Sequence, residues 1–150
     1  MRLEEKVMED IKAAMKARDE AALRGLRGIK AEIIKAKTEP GAQGTLSPDG
    51  EMKLLQKMLK QRKDSLDIFL AQKRDDLAAK EREEIAVIEK YLPAQLSEDE
   101  IKTAVQKIIT ATDATTLADL GKVMGLATKE LAGKADGKTI SAMAKSLLSA

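Results

Sequence analysis

The chain has 150 residues, 43% of them hydrophobic, 35% charged and 1% aromatic, with a formal net charge of +2. That length carries one domain or two small helical ones, and the apolar content is too high for a disordered chain. There is no cysteine and no histidine, which excludes disulfide frameworks, thiolate metal sites, cysteine nucleophiles, imidazole general bases and any Ser-His-Asp triad.

Leu, Ala, Lys, Glu, Met, Ile and Arg dominate, the vocabulary of helices rather than sheets. No uncharged stretch approaches the ~18 apolar residues of a membrane span. The opening MRLEEKVMEDIK carries acids where a signal peptide would be apolar. A soluble cytoplasmic protein without a membrane partner is expected.

A first helix is predicted from about Arg2 to Arg18, with Leu3, Val7, Ile11 and Met15 at four-residue steps and Ala14 beside them. Asp19 is a good N-cap for a second helix to about Lys37, whose stripe is Leu23, Leu26, Ile29, Ile33 and Ile34. Gly25 and Gly28 lie near that stripe, and close helix packing is their expected use. The segment TEPGAQGTLSPDG (38–50) reads as a loop. Ser47 before Pro48 opens a third helix to about Gln72, carrying Met52, Leu55, Leu59, Leu66, Phe69 and Leu70, with Arg62 breaking the stripe. A fourth helix, from about Asp75 to Tyr91, has Leu77, Ile85, Ile88 and Leu92 inward and stops at Pro93.

Ser97 with Glu100 forms a capping box for a fifth helix bearing Ile101, Ala104, Val105, Ile108 and Ile109. Thr110 to Thr115 reads as a turn, and Thr116 with Asp119 as a second capping box opening a helix through Leu120, Val123, Met124, Ala127 and Leu131. Gly133 to Gly137 breaks the chain, and Asp136 caps a last helix carrying Ile140, Met143, Ala144, Leu147 and Leu148. The expectation is an all-α fold in two parts. A hairpin-like region of about four helices occupies 1–93, and a small three-helix domain occupies 97–150, with the break at YLPAQLSEDE.

Charge is segregated along the chain. Residues 12–37 hold eight bases against three acids, 52–63 hold five bases and no acid, and 75–100 hold nine acids against three bases. A basic stripe of this kind attracts a phosphate backbone over long range; equally, neighbouring helices of opposite sign can pair. Arg62 is either a buried partner of a carboxylate or a surface contact beside Lys63, and the structural role is favoured because an arginine lays its stem along a core edge. GKADGK (133–138) resembles a phosphate-contacting turn, with glycines, two lysines and donors at a helix N-terminus. Gly121 and Gly125 put a side-chain-free groove on one helix face, open to a neighbouring helix or a ligand backbone. Phe69 and Tyr91 are the only aromatics and sit at core positions, so single-strand stacking is nearly unavailable and a structured RNA fits better than a single strand or DNA. The acidic pairs Asp75/Asp76 and Glu83/Glu84 are explained by helix starts and solvated faces. No catalytic constellation, metal-ligand spacing or nucleotide loop is present, and no cofactor or metal is expected.

LKQRKDSLDIF (59–69), EIAVIEKYLPAQLSEDEI (84–101), DLGKVMG (119–125) and GKADGKTIS (133–141) resemble, in order over almost the whole chain, the signature blocks of the YqeY family. That family is similar to the tail of GatB, the B subunit of the tRNA-dependent Asp/Glu amidotransferase. The family carries an amidotransferase label, that of a carbon–nitrogen ligase with glutamine as amido donor. In that enzyme, glutamine hydrolysis and tRNA activation occur in other domains, so the resemblance implies an accessory module with no catalytic site of its own. It implies tRNA contact at Lys122, Gly125, Lys134, Gly137 and Lys138, with translation-related proteins as further partners. A protein-interaction adaptor without RNA affinity, docking through an apolar helix face or the acidic 75–100 stretch, is the alternative.

Overall fold

The computed structural model describes residues 2–149, all helix and connecting turn with no strand among them. The chain divides into two compact units, Met1–Leu92 and Pro93–Ala150. Unit 1 contains α1 (Leu3–Ala17), α2 (Glu20–Lys37), α3 (Pro48–Ala71) and α4 (Asp75–Glu89). Unit 2 contains α5 (Glu98–Thr112), a 3₁₀ turn (Leu117–Asp119), α6 (Leu120–Glu130) and α7 (Gly137–Ser149).

In unit 1, α1 and α2 form an antiparallel hairpin, and α4 packs against both α2 and α3. The α1–α2 turn is made by Arg18 in the left-handed region (φ 55°) and by Asp19, whose carboxylate accepts the Ala22 N–H at 3.1 Å. Ser47 caps α3 by accepting the Gly50 N–H at 3.0 Å, and Pro48 occupies the first turn, where no donor is needed. The core is aliphatic: Val7, Ile29, Ile33 and Ile88 are almost wholly buried, with Leu55 and Leu59 beside them.

Three stripe residues expected to face inward instead face water: Met15, Ile34 and Leu70 are 56%, 48% and 39% exposed. The cause is helical phase. A four-residue step overshoots one turn by about 40°, so a row begun at Leu3 has rotated off the core by Met15, and Ala14 takes the inward place. Ile33/Ile34 and Phe69/Leu70 are adjacent pairs, about 100° apart on a helix, so one member of each is turned outward.

Gly25 behaves as expected, since a Cβ there would sit 2.9 Å from Val87 Cβ on α4. Gly28 does not: a Cβ there would meet nothing within 4 Å, so close packing gives no reason for glycine at that position.

Unit 2 has its own core of Ile101, Val105, Val123, Ala127, Ile140 and Ala144. The segment after Pro93 is tied to it by Leu96 N–H donating to Lys134 O at 3.0 Å and Gln95 Nε2 donating to Gly133 O at 2.7 Å. The helix α5 continues into the segment expected to be a turn. Thr110 and Thr112 stay helical because their hydroxyls donate back to the carbonyls of Gln106 and Ile108, at 3.0 and 2.9 Å. Asp113 (φ 54°) then ends the helix.

Candidate nucleic-acid interface

Part of the charge of unit 1 is paired between its own helices. Arg24 of α2 pairs with Glu83 and Glu84 of α4, and Lys37 meets Glu4 at 2.8 Å. Arg62 of α3 lies 3.3 Å from Glu81 and 3.1 Å from Glu84. The residue that breaks the apolar stripe is therefore the one that neutralises the acids of the facing helix. Glu81 is 8% exposed, and its Oε2 is buried with no hydrogen-bond partner among the described residues, which makes Arg62 its sole ionic support. A groove of about 700 Å³, lined by Met8, Ile33 and Leu46, lies between α1, the end of α2 and the following loop. The sequence reading did not anticipate it. Its size suits a small ligand, but the Lys37–Glu4 and Arg2–Glu51 pairs on its rim satisfy one another.

The two aromatics expected in the core are half-buried. The hydroxyl of Tyr91 donates to Asp10. Burial first, and then the Asp10 carboxylate, hold the phenol above its ordinary value of 10.0.

Unit 2 is organised differently. Most of its acids sit at helix starts, with Asp113 and Glu130 at helix ends. Glu100 Oε1 accepts the Ser97 N–H at 3.0 Å, and Asp119 Oδ2 accepts those of Thr115 and Thr116 at 2.9 and 3.3 Å. These bonds hold both carboxyls below their ordinary range. Asp136 accepts both the Thr139 N–H at 2.8 Å and its hydroxyl at 3.0 Å. Asp136 thus caps α7 as its place in the sequence predicts, taking up the Thr139 donor.

The five residues implied by the resemblance, Lys122, Gly125, Lys134, Gly137 and Lys138, are all exposed. Lys122 and Gly125 lie on α6, Lys134 follows the turn after Leu131, and Gly137 and Lys138 open α7. They form an extended track rather than a cluster: Lys122 and Lys134 lie at opposite ends of α6, whose 11 residues cover about 16 Å. Lys122 Nζ donates to Thr112 O at 3.1 Å, which anchors that end of the track. A Cβ at Gly121 or Gly125 would meet nothing within 4 Å, so within this unit no helix fills the groove they form. Sequence reasoning missed two flanking residues, Leu117 and Leu126, which are 51% and 43% exposed. Their apolar character suggested burial.

This all-helical chain, with the blocks quoted above, is matched by a family profile described as Yqey-like protein over residues 4–148. The chain belongs to the YqeY family. It is similar to a Saccharomyces cerevisiae protein named Altered inheritance of mitochondria protein 41, mitochondrial. The two are 36% identical over 135 residues, covering 87% of this chain and 69% of the relative. Proteins of the same name from Lachancea thermotolerans and Candida glabrata are 38% and 35% identical over 106 and 94 residues. These matches cover 68% and 61% of this chain and 55% and 52% of the relatives.

These relatives are named as mitochondrial, which overturns the expectation of a cytoplasmic protein. That expectation rested on an acidic opening and on the lack of an apolar span, and neither property distinguishes one aqueous compartment from another. Among the described residues no helix is long and apolar enough to cross a membrane.

Proposed function

We propose that this protein is a stand-alone tRNA-binding accessory module, related to the tail of the amidotransferase B subunit and acting without a catalytic site of its own. The observation that carries the reading is the state of the lysines in unit 2. None of the seven between Pro93 and Ala150 is in an ion pair among the described residues. The carboxylates of Glu100, Asp119 and Asp136 are instead engaged with backbone donors. Ammonium groups without an ion-pair partner, beside uncovered glycines, suit a phosphate backbone approaching closely. The scarcity of stacking aromatics favours a folded RNA over a single strand.

The test is binding of total deacylated tRNA to the purified protein across a salt series, alongside Lys134→Glu/Lys138→Glu. Affinity should fall linearly on a log–log plot as salt rises, and the double reversal should weaken binding by about tenfold or more. No binding at low salt would overturn the reading. The adaptor reading would then take its place, favoured by the exposed Leu117 and Leu126 on α6 and its 3₁₀ turn. It requires a protein partner lost on Leu126→Ser.

A further inference from the structure

We infer that the outer face of α3 is a second contact surface for the sugar–phosphate backbone of a folded RNA, formed by Lys53, Lys57, Lys60 and Lys63. The inference rests on the tRNA-binding reading and extends it to unit 1.

The five bases between Met52 and Lys63 do not share one face. At about 100° per residue, Lys53, Lys57 and Lys60 fall within a strip roughly 60° wide, and Lys63 lies about 60° to one side of it, toward α4. Arg62 falls on the opposite side with Leu55, Met58 and Leu59, which are buried. The facing acids take up Arg62 alone, through Glu81 and Glu84.

The four lysines have no carboxylate between them in the sequence. Among the described residues, their one ion pair is Lys53 with Asp49 at 3.1 Å, both side chains 76% exposed, a pair that water and salt screen heavily. The spacings of four, three and three residues place like charges next to one another on the helix, an arrangement that works against its stability. A polyanion removes that repulsion. The row covers about 15 Å of helix axis, and a nucleic-acid duplex offers a phosphate charge about every 1.7 Å of its own axis, so each ammonium finds a partner. Asp64 and Asp67 follow immediately and end the favourable track.

The comparable basic run of α2 is partly neutralised within the fold, with Arg24 on α4 and Lys37 on α1. An anionic bilayer is the poorer partner. A surface-lying helix needs a free apolar face, and the apolar face of α3 over this stretch is buried in the core of unit 1.

The experiment uses the full chain and the variant Lys53→Gln/Lys57→Gln/Lys60→Gln/Lys63→Gln. Glutamine keeps helix propensity, and circular dichroism checks the fold. The control, Lys6→Gln/Lys16→Gln/Lys35→Gln/Lys73→Gln, removes the same charge from exposed positions elsewhere in unit 1. If α3 contacts the backbone, the log–log salt slope for tRNA binding becomes shallower by about 3 to 4 in the α3 variant and by much less in the control. An unchanged slope, with Lys134→Glu/Lys138→Glu still weakening binding, overturns the α3 surface and leaves the unit 2 reading intact. Equal losses in the α3 variant and the control overturn it as an effect of net charge. Loss of binding to phosphatidylserine vesicles with tRNA binding unchanged overturns it in favour of a membrane. No tRNA binding by the parent protein removes both readings together.

Discussion

Unit 1 and unit 2 are both small aliphatic helical units, yet they handle charge in opposite ways. Every ion pair among the described residues lies in unit 1, where α4 brings Glu81, Glu83 and Glu84 against the bases of α2 and α3. In unit 2 the carboxylates of Glu100, Asp119 and Asp136 accept backbone donors, and the lysines face water. Acids used at caps cannot also quench lysines. A unit of zero net charge can therefore leave its lysines without ion pairs, while part of the segregated charge of unit 1 becomes bonds between helices. Local disposition of charge, rather than its sum, decides which surface is available to an anion.

The comparison breaks first at the cores. Ile140 is 2% exposed in unit 2, and Ile140→Ala should cost about 2–5 kcal/mol. If the units are held by separate cores, amide hydrogen exchange should lose protection in α5–α7 while α1–α4 keep theirs; equal loss throughout would mean one cooperative fold. Next is the internal pairing of unit 1. Arg62→Met should destabilise by about 2 kcal/mol in denaturant melts, because Glu81 is then left buried without a cation. Adding Glu81→Met should recover most of that loss, since the buried charge goes with its partner.

The glycines give a smaller effect with opposite signs. Gly25→Ala forces a Cβ against Val87 and should destabilise by about 1–3 kcal/mol. Gly125→Ala meets nothing and should stabilise by about 0.5–1 kcal/mol while weakening tRNA binding. A Gly125→Ala protein that binds tRNA as well as the parent would remove that glycine from the contact surface.

The smallest effect concerns the caps. Glu100 and Asp119 have folded values below their ordinary 4.5 and 3.8 because of the Ser97, Thr115 and Thr116 donors. Their contribution is therefore complete above those ordinary values and disappears as pH falls through the lowered folded ones. Hydrogen exchange at pH 3 should show the starts of α5 and the 3₁₀ turn fraying before the core amides open. Glu100→Gln should abolish the pH dependence at α5, and its persistence would show that the Glu100 carboxylate is not its source.

The seven helices were legible because their signals are local: capping boxes at Ser97 and Thr116, caps at Asp19, Ser47 and Asp136, and Pro93 as a stop. The end of α5 was misread because Thr110 and Thr112 look like turn residues until their hydroxyls are seen bonded back into the helix. For the site, the exposure of Lys122, Lys134 and Lys138 follows from their place on polar faces. That Lys122 is held by the Thr112 carbonyl depends on how α6 sits against the end of α5, on which sequence is silent.

What the sequence determined by itself is the all-helical class, the family and the inventory of possible chemistry, because composition, periodicity and caps act within a few residues. Tertiary structure alone decided which charges cancel. Arg62 and Lys63 are neighbours of the same sign in the chain, but they lie about 100° apart around α3, and only Arg62 comes within ion-pair distance of carboxylates on the facing helix. Ion pairing depends on distances between helices far apart in sequence, so the basic surface left over appears only once the chain has folded.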